Sequence, residues 1–300
     1  MAQSRGAVVA FSAVTLIALE LAPFPYPQLS AEVPRWYQSV APEPGQFTIF
    51  ELPPQDEYWH GAFRMYFATA HERPIFGGYI SREFPHPFVE NTPGYMDLST
   101  TAAEGDMIST ERGEWLSALY LYRTRYVVVQ KDRLPDVQEI PADVEAWRSS
   151  VARVLGDEQS VYEDEQLIAY RVPEPDEQLP FLSIGAGWEP KEVGPNGPFR
   201  WMGEAATLRV DSPSRRDATL RFSATTIGKP RQLVLRHGNV IVFDEAVGPL
   251  REYSIRLGLP EGASELTVIS PEGTVIPRDL NMGDDPRSLG FAVLDVRLEP

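Results

Sequence analysis

The chain has 300 residues, of which 43% are hydrophobic and 23% are charged, and it contains no cysteine. This length is sufficient for two domains with packed cores. The formal net charge of −16 argues against nucleic acid or an anionic lipid surface as a partner, because both require basic patches on the protein.

The chain opens with an uncharged run, residues 6–19, which follows Arg5. The run has the length of a signal-peptide core and is shorter than the ~20 apolar residues of a typical membrane span. Cleavage is poorly supported, since Pro23 directly follows Ala22. We therefore expect a membrane anchor helix over residues 1–22, with a cleaved signal or a buried helix as alternatives. The positive charge before the run favours a single-pass protein of the cell membrane whose bulk is extracytoplasmic.

Six prolines in residues 23–45 predict an extended tether that includes one short helix near residues 35–41. Residues 46–175 then alternate between strand-like and helix-like patterns, which predicts a small α/β domain. The predicted strands are 48–52, 126–130, 161–163 and 167–172, and the predicted helices are 58–70, 114–123 and 142–155.

The periodicity changes in residues 176–300, where apolar residues alternate in short runs separated by Gly, Pro or Asp turns. Seven or eight such strands without helices predict an antiparallel β-sandwich, which we expect to be jelly-roll-like. The fold class is therefore α+β. The predicted strands are 206–211, 218–224, 232–237, 240–245, 252–257, 265–270 and 289–298.

Four sequence segments, in this order, carry a family resemblance: FTIFELP, ATAHERPIFGGYISR, LYRTRYVVVQK and VYEDEQLIAYRV. Together with the opening helix they resemble the extracytoplasmic C-terminal region of bacterial multi-pass membrane proteins of the GT-C glycosyltransferase-like class. Residues 187–188, 199–202 and 284–290 are similar to jelly-roll modules attached to surface-glycan proteins.

The resemblance implies a role in assembling cell-envelope glycans. It also implies a non-catalytic chain, because the catalytic acid of that family lies between early membrane helices that this sequence lacks. The short flank before residue 6 leads us to expect the last helix of a larger membrane region, so that the chain is an accessory protein or a fragment.

The segment from His71 to Arg82 is the strongest candidate for chemistry. It places His71, Arg73, Tyr79 and Arg82 around a pair of glycines at residues 77–78. Such a turn allows close backbone approach, and arginine forks suit a phosphorylated or hydroxyl-rich ligand. The alternative is a helix end and a turn whose arginines pair with neighbouring glutamates.

A second candidate lies in the predicted sandwich, where Trp188, Phe199 and Trp201 could form an aromatic platform for a sugar ring. Arg200 would supply hydrogen bonds to the sugar. The alternative is that the two tryptophans pack in the sandwich core or against the first domain.

Little in the sequence supports a metal site or hydrolase chemistry. The spacing of His60, His71 and His86 fits no metal-ligand pattern, and no G-x-S-x-G motif occurs. Residues 279–285 faintly resemble a calcium loop, but we favour a turn in which Asp285 orders Arg287. We expect no metal and no cofactor.

Carboxylates offer no stronger site. Glu51 and residues 56–57 are the least implausible catalytic acids, and we interpret them as surface charges. The sequence thus favours a non-catalytic accessory protein that binds an envelope glycan, a lipid-linked sugar or a multi-pass membrane protein. A glycan-acting hydrolase or transferase using residues 71–82, and a structural docking subunit, are the alternatives.

Overall fold

The computed structural model describes residues 32–54, 58–77, 87–102, 105–131 and 143–299, together with Thr15 and Ile17. Contacts divide the chain into two units, of which the first, residues 1–32 and 133–139, lies almost entirely outside these ranges. The predicted membrane helix belongs to that first unit and stays a prediction. Within the described ranges no helix has both the length and the apolar character that a membrane crossing requires.

The first part of the second unit is a four-stranded sheet with helices on both faces. The sheet order is β1-β2-β4-β3. Strand β1 runs parallel to β2, β2 runs antiparallel to β4, and β4 runs antiparallel to β3. The strands and helices that the sequence predicts here are confirmed. The elements are α1 (Arg35–Val40), β1 (Thr48–Leu52), α2 (Tyr58–His71), α3 (Pro87–Asn91), α4 (Tyr95–Leu98), α5 (Arg112–Leu121), β2 (Thr124–Gln130), α6 (Val144–Leu155), β3 (Ser160–Glu163) and β4 (Leu167–Arg171).

Alternate residues of β1 and β2 pack into two separate hydrophobic cores, because successive side chains of a strand point to opposite faces of the sheet. Phe50 and Val127 pack with apolar residues of α4, α5 and α6 on one face. Ile49 and Val128 pack with residues of α1 and α2 on the other. The sheet is therefore buried on both sides.

Residues 33–45 differ from the extended tether that their prolines predict. Helix α1 places Trp36, Tyr37 and Val40 in the core with exposed fractions of 4%, 0% and 1%. Their spacing puts all three on the face that meets the sheet. Burying two aromatic side chains contributes several kcal/mol, of the order of 2–3 kcal/mol each, and this outweighs the extended preference of the flanking prolines.

The second part is a β-sandwich of two five-stranded sheets, which confirms the α+β class and the antiparallel sandwich. The sheet orders are β11-β10-β13-β8-β5 and β12-β9-β14-β7-β6. The strands are β5 (Phe181–Ile184), β6 (Glu192–Gly194), β7 (Gly197–Trp201), β8 (Ala205–Ser212), β9 (Arg216–Thr226), β10 (Arg231–His237), β11 (Val240–Val247), β12 (Arg251–Leu259), β13 (Gly262–Ile269) and β14 (Phe291–Glu299), with a 3-10 helix at Pro277–Leu280.

A segment between α4 and α5 is built into the sandwich. Met107 and Ile108 are 0% and 4% exposed and belong to the sandwich core. The backbone of Val296 donates to Met107 at 2.7 Å and accepts from Ser109 at 2.9 Å. A bulge at Asp295, with φ of 50°, shifts the register of β14 just before this contact. Two residues from before the predicted boundary near residue 175 therefore belong to the sandwich core.

Candidate functional site

The structure places His71 and Arg73 in supporting positions at the end of α2. His71 is 0% exposed, its ring stacks on Tyr37, and its Nδ1 accepts a hydrogen bond from the backbone N–H of Arg73 at 3.0 Å. Burial and the nearby Arg73 guanidinium lower the pKa of His71 to about 4. The ring is therefore neutral at physiological pH.

The guanidinium of Arg73 is held by the loop after α1. It donates to the carbonyls of Gly45 at 2.8 Å and Ala41 at 2.9 Å, and also to that of Glu43. It also lies 4.5 Å from the ring centroid of Phe47. Arg73 thus fastens this loop rather than pairing with a neighbouring glutamate. The other two predicted members of the site, Tyr79 and Arg82, lie outside the described residues.

Beside His71 lies a buried polar cluster that the sequence analysis did not predict. Glu51 is 3% exposed and accepts a hydrogen bond from the Tyr37 hydroxyl. Its other carboxylate oxygen is 3.5 Å from Arg64 Nε. Gln130 donates to the Tyr37 oxygen at 2.6 Å. The interpretation of Glu51 as a surface charge is therefore wrong, since β1 is buried on both faces.

Burial decides the protonation of this cluster. It raises the pKa of Glu51, and the facing Arg64 guanidinium and the Tyr37 hydroxyl counteract that rise only in part. Burial, reinforced by the adjacent Glu51, raises the pKa of Tyr37 well above its ordinary value. Tyr37, Glu51 and Arg64 are nearly inaccessible to solvent. Because they come from α1, β1 and α2, the cluster stabilises the packing of the two helices on the sheet.

Two of the predicted sugar-binding residues have structural partners. Trp188 packs against the sandwich core, and its indole N–H donates to the carbonyl of Thr207 at 2.7 Å. Arg200 grips both carboxylate oxygens of Asp106, with distances of 2.8 Å and 2.7 Å. The side chains of Arg200 and Asp106 are only 15% and 4% exposed. Arg200 thus joins the sandwich to the segment before α5.

Trp201 has a different environment, on the outer face of the sheet that contains β7. In the ladder between β7 and β14, Trp201 lies opposite Ala292 and Phe199 lies opposite Leu294. Val293, between those two partners, points into the sandwich core. Because side chains alternate across a strand, Trp201 and Phe199 point outward.

The two outward rings form an angular surface rather than a flat one. The ring centroids of Phe199 and Trp201 are 6.2 Å apart, and the ring planes meet at 84°. Both residues are half-buried. One ring can therefore lie flat under a ligand while the other flanks it, which is an arrangement that suits a ring-shaped ligand with apolar C–H faces.

Charged groups border these rings. Glu192 lies opposite Phe199 in the ladder between β6 and β7, and its carboxylate is 2.8 Å from Arg287. Arg287 also binds Asp285 at 2.7 Å, and these hydrogen bonds hold the pKa of Asp285 below its usual range. The interpretation of residues 279–285 as a turn that orders Arg287 is confirmed.

No group of three or more His, Asp or Glu side chains that could hold a metal ion occurs within the described ranges. The outward face of β7 is the candidate site, with Trp201 and Phe199 as its apolar surface. Of the predicted platform of Trp188, Phe199 and Trp201, only the last two share this face, because Trp188 packs against the sandwich core. The shared face of Phe199 and Trp201 follows from their i, i+2 spacing once β7 is known to be a strand.

No protein-family model matches this chain, and no curated protein matches it. Among solved structures, similar ones include the C-terminal family 6 carbohydrate-binding module of LamC, a marine laminarinase from Zobellia galactanivorans. It is 11% identical with a TM-score of 0.27, and the match covers 40% of this chain and 99% of that one.

A second similar structure is the family 6 module CBM6cm-2 from Cellvibrio mixtus lichenase 5A, in complex with cellotriose. It is 10% identical with a TM-score of 0.27, covering 39% of this chain and 88% of that one. A family 35 module from Clostridium thermocellum is 13% identical with a TM-score of 0.24, covering 39% and 92%. TM-scores this low assign neither a fold family nor a ligand to this chain.

Proposed function

We propose that this protein is a non-catalytic, glycan-binding component of the cell envelope. The observation that carries the proposal is the outward pair Phe199 and Trp201 on β7. A pair of half-exposed aromatic rings bordered by an arginine–carboxylate network supplies apolar surface for sugar C–H groups. The same network supplies donors and acceptors for sugar hydroxyls.

The sandwich provides a rigid base for such a site. The chain crosses between the two sheets at most connections from β5 to β14, which is typical of jelly rolls and supports the jelly-roll-like part of the proposal. Charged side chains continue the outer face beyond the rings. Arg221 and Arg297 both pair with Glu252, so that this face carries charged groups beside the two aromatic rings.

The proposal includes a membrane anchor over residues 1–22 and a role beside a multi-pass glycosyltransferase-like partner. These parts rest on the opening sequence and on the family resemblance. The glycan would be an envelope polysaccharide or a lipid-linked sugar. In either case the binding face needs to be extracytoplasmic, which agrees with the positive charge before the anchor.

A glycan-acting enzyme based on residues 71–82 has less support. His71 is buried, and its Nδ1 is occupied by a backbone N–H. Arg73 is committed to three backbone carbonyls. A general base needs to reach the proton that it abstracts, and neither described side chain is placed to meet a substrate.

Replacing Trp201 with alanine is expected to weaken glycan binding about tenfold or more, and Phe199→Ala is expected to act similarly. A stacked aromatic residue contributes roughly 1–3 kcal/mol to binding of a flat ligand, as alanine substitution of base-stacking residues shows. The measurement is a screen on a glycan array with the full chain, followed by titration calorimetry with the oligosaccharide that binds best.

The matched control is Tyr66→Ala. Tyr66 is an aromatic residue of α2 with an exposed fraction of 45%, and its removal should leave binding unchanged. Thermal unfolding of each variant checks that the fold is retained. Absence of binding to every neutral or charged glycan tested, or equal loss in Tyr66→Ala, would overturn the proposal.

A further inference from the structure

A concave surface lies at the end of the four-stranded sheet. We call it the arginine groove, and its volume is about 550 Å³, within the range of small-ligand pockets. Its wall residues come from the loop before β1, the turn between α5 and β2, and the segment after β4. They are Gln46, Phe47, Tyr120, Leu121, Arg123, Thr124, Arg125, Arg171, Val172, Pro173, Glu174 and Gln178.

Backbone hydrogen bonds fix the base of the groove. The carbonyl of Arg123 accepts from Thr48 at 2.8 Å, and the carbonyl of Arg125 accepts from Val172 at 2.9 Å. Arg123 occupies a left-handed turn, with φ of 57°, which links α5 directly to β2. The three arginines are thus held on a rigid frame although they come from separate parts of the sequence.

The arginine side chains differ in how far they are engaged. Arg125 pairs with Glu43 at 3.1 Å, and its guanidinium lies 3.9 Å from the ring centroid of Phe47. Arg123 donates to the side-chain oxygen of Gln46 at 3.2 Å. Arg171 is exposed, and no described residue forms a side-chain hydrogen bond or ion pair with it. Two of the three guanidinium groups therefore retain donors for a ligand.

The charge around the groove opposes that of the whole protein. Three arginines and one carboxylate, Glu174, line it, and Glu43 neutralises Arg125, so that an excess of one positive charge remains, whereas the chain as a whole carries a formal net charge of −16. Apolar surface is also present, since Tyr120 and Leu121 are 42% and 48% exposed. This combination suits a ligand that has an anionic group and a partly apolar ring.

We propose that the arginine groove binds a saccharide that bears an oxyanion, either a carboxylate or a phosphate. Arg123 and Arg171 grip the oxyanion, and Tyr120 packs against the sugar ring. The proposal goes beyond glycan binding at β7 and does not depend on it, because the two sites share no residue.

The test is titration calorimetry of the full chain at low ionic strength with three probes: tri-galacturonate, glucose 6-phosphate and uncharged maltotriose. At least one of the two anionic probes is expected to bind, and maltotriose is not expected to bind in this groove. The stronger anionic probe identifies the oxyanion. Binding should weaken as salt is raised, because the contact is electrostatic and exposed.

Arg171→Gln and Arg123→Gln are each expected to weaken binding of the anionic probe about tenfold, the effect of losing one charge-assisted hydrogen bond. Glu174→Gln removes the opposing carboxylate and should strengthen binding. The matched control is Arg256→Gln, which removes the same charge from an exposed position on β12 and should have no effect.

The proposal is overturned if neither anionic probe binds, if maltotriose competes equally with them, or if Arg256→Gln weakens binding as much as Arg171→Gln. Trp201→Ala separates the two sites. It should leave binding of the anionic probe unchanged even if it abolishes binding of a glycan at β7, and a loss of both in this variant would contradict a separate groove.

Discussion

Replacing Asp106 with alanine is expected to lower the free energy of unfolding by about 3–5 kcal/mol, the usual cost of leaving the partner of a buried ion pair uncompensated. This is a large fraction of the roughly 5–15 kcal/mol that stabilises a typical protein. Urea unfolding, followed by far-UV circular dichroism and by tryptophan fluorescence, measures the change. The midpoint should fall without a change in slope if the transition remains two-state.

The geometry explains the size of this effect. Asp106 accepts two hydrogen bonds from Arg200, and it also accepts one from the backbone N–H of Met107 at 2.6 Å. Without the carboxylate, the hydrogen bonds of the Arg200 guanidinium to the described residues reduce to one, to the carbonyl of Glu189 at 3.3 Å. The same substitution would also remove the contacts that fix the beginning of the segment that places Met107 and Ile108 in the sandwich core.

Two further variants distinguish burial from simple pairing. Glu245→Ala breaks an ion pair with Arg251 of similar length, 2.9 Å, in which both side chains are more than half exposed, and it should cost less than about 1 kcal/mol. Asp106→Ala combined with Arg200→Met removes both charges and should recover most of the loss. An Asp106→Ala cost no greater than that of Glu245→Ala would show that this pair does not hold the two parts together.

Regular apolar alternation was sufficient to predict most of the sandwich. Strands β8 to β14 follow the predicted runs closely because apolar residues alternate along much of their length, most regularly in β9 and β12. Strands β5, β6 and β7 were not predicted, for different reasons. Strand β5 is buried on both faces and so does not alternate, whereas β6 and β7 are short strands rich in Gly and Pro whose pairing depends on β14.

Burial of individual polar groups could not be predicted in the same way. Glu51 has a typical surface residue type, and only the layers on both sides of β1 enclose it. Arg200 finds its partner 94 positions earlier in the chain, and such a distance leaves no local sequence signal. The arginine groove combines the strand ends of β2 and β4 with the turn after α5, so it exists only once the sheet order is known.

The predicted site residues show the same contrast between what a local sequence pattern predicts and what long-range packing decides. Trp201 and Phe199 could be assigned to the same face of a strand from their spacing of two positions, but the outward direction of that face depends on the pairing of β7 with β14. His71 and Arg73 have the residue types of a ligand site, but the loop after α1 uses Arg73 for backbone contacts. A short helix near residues 35–41 was predicted, but the packing of α1 on the sheet was not, because the prolines around it suggested a tether.

That packing leads to a second large effect, an acid sensitivity that comes from His71. The folded protein is expected to lose about 3 kcal/mol of stability through this one residue as the pH falls from 6.5 to about 4. In the unfolded chain the imidazole takes up a proton near its ordinary pKa of 6.5, whereas burial lowers the folded-state pKa to about 4. A gap of about 2.5 pH units between those two pKa values corresponds to about 3 kcal/mol.

The sign of this pH effect on stability follows from whether the folded or the unfolded state binds the proton. Below pH 6.5 the unfolded state binds a proton that the folded state rejects, so acid favours unfolding until the pH reaches about 4. Glu51 acts in the opposite direction, because its raised pKa lets the folded state take up a proton first. Burial raises the pKa of the adjacent Tyr37 well above its ordinary value, so Tyr37 does not titrate in this range. The effect of His71 therefore needs a variant that isolates it.

His71→Asn provides that isolation, because the amide oxygen of asparagine can accept the hydrogen bond from the Arg73 N–H and asparagine does not titrate. Urea unfolding at pH 7.5, 6.0 and 4.5 should show the wild type losing about 2.5 kcal/mol more than the variant across this range. The variant should be less stable at pH 7.5, since the ring contact with Tyr37 is lost. His237→Asn is the comparison: His237 is half-buried with a lowered pKa, and its removal should flatten the pH dependence less. Parallel stability curves for the wild type and His71→Asn would show that the buried imidazole does not make the fold acid-sensitive.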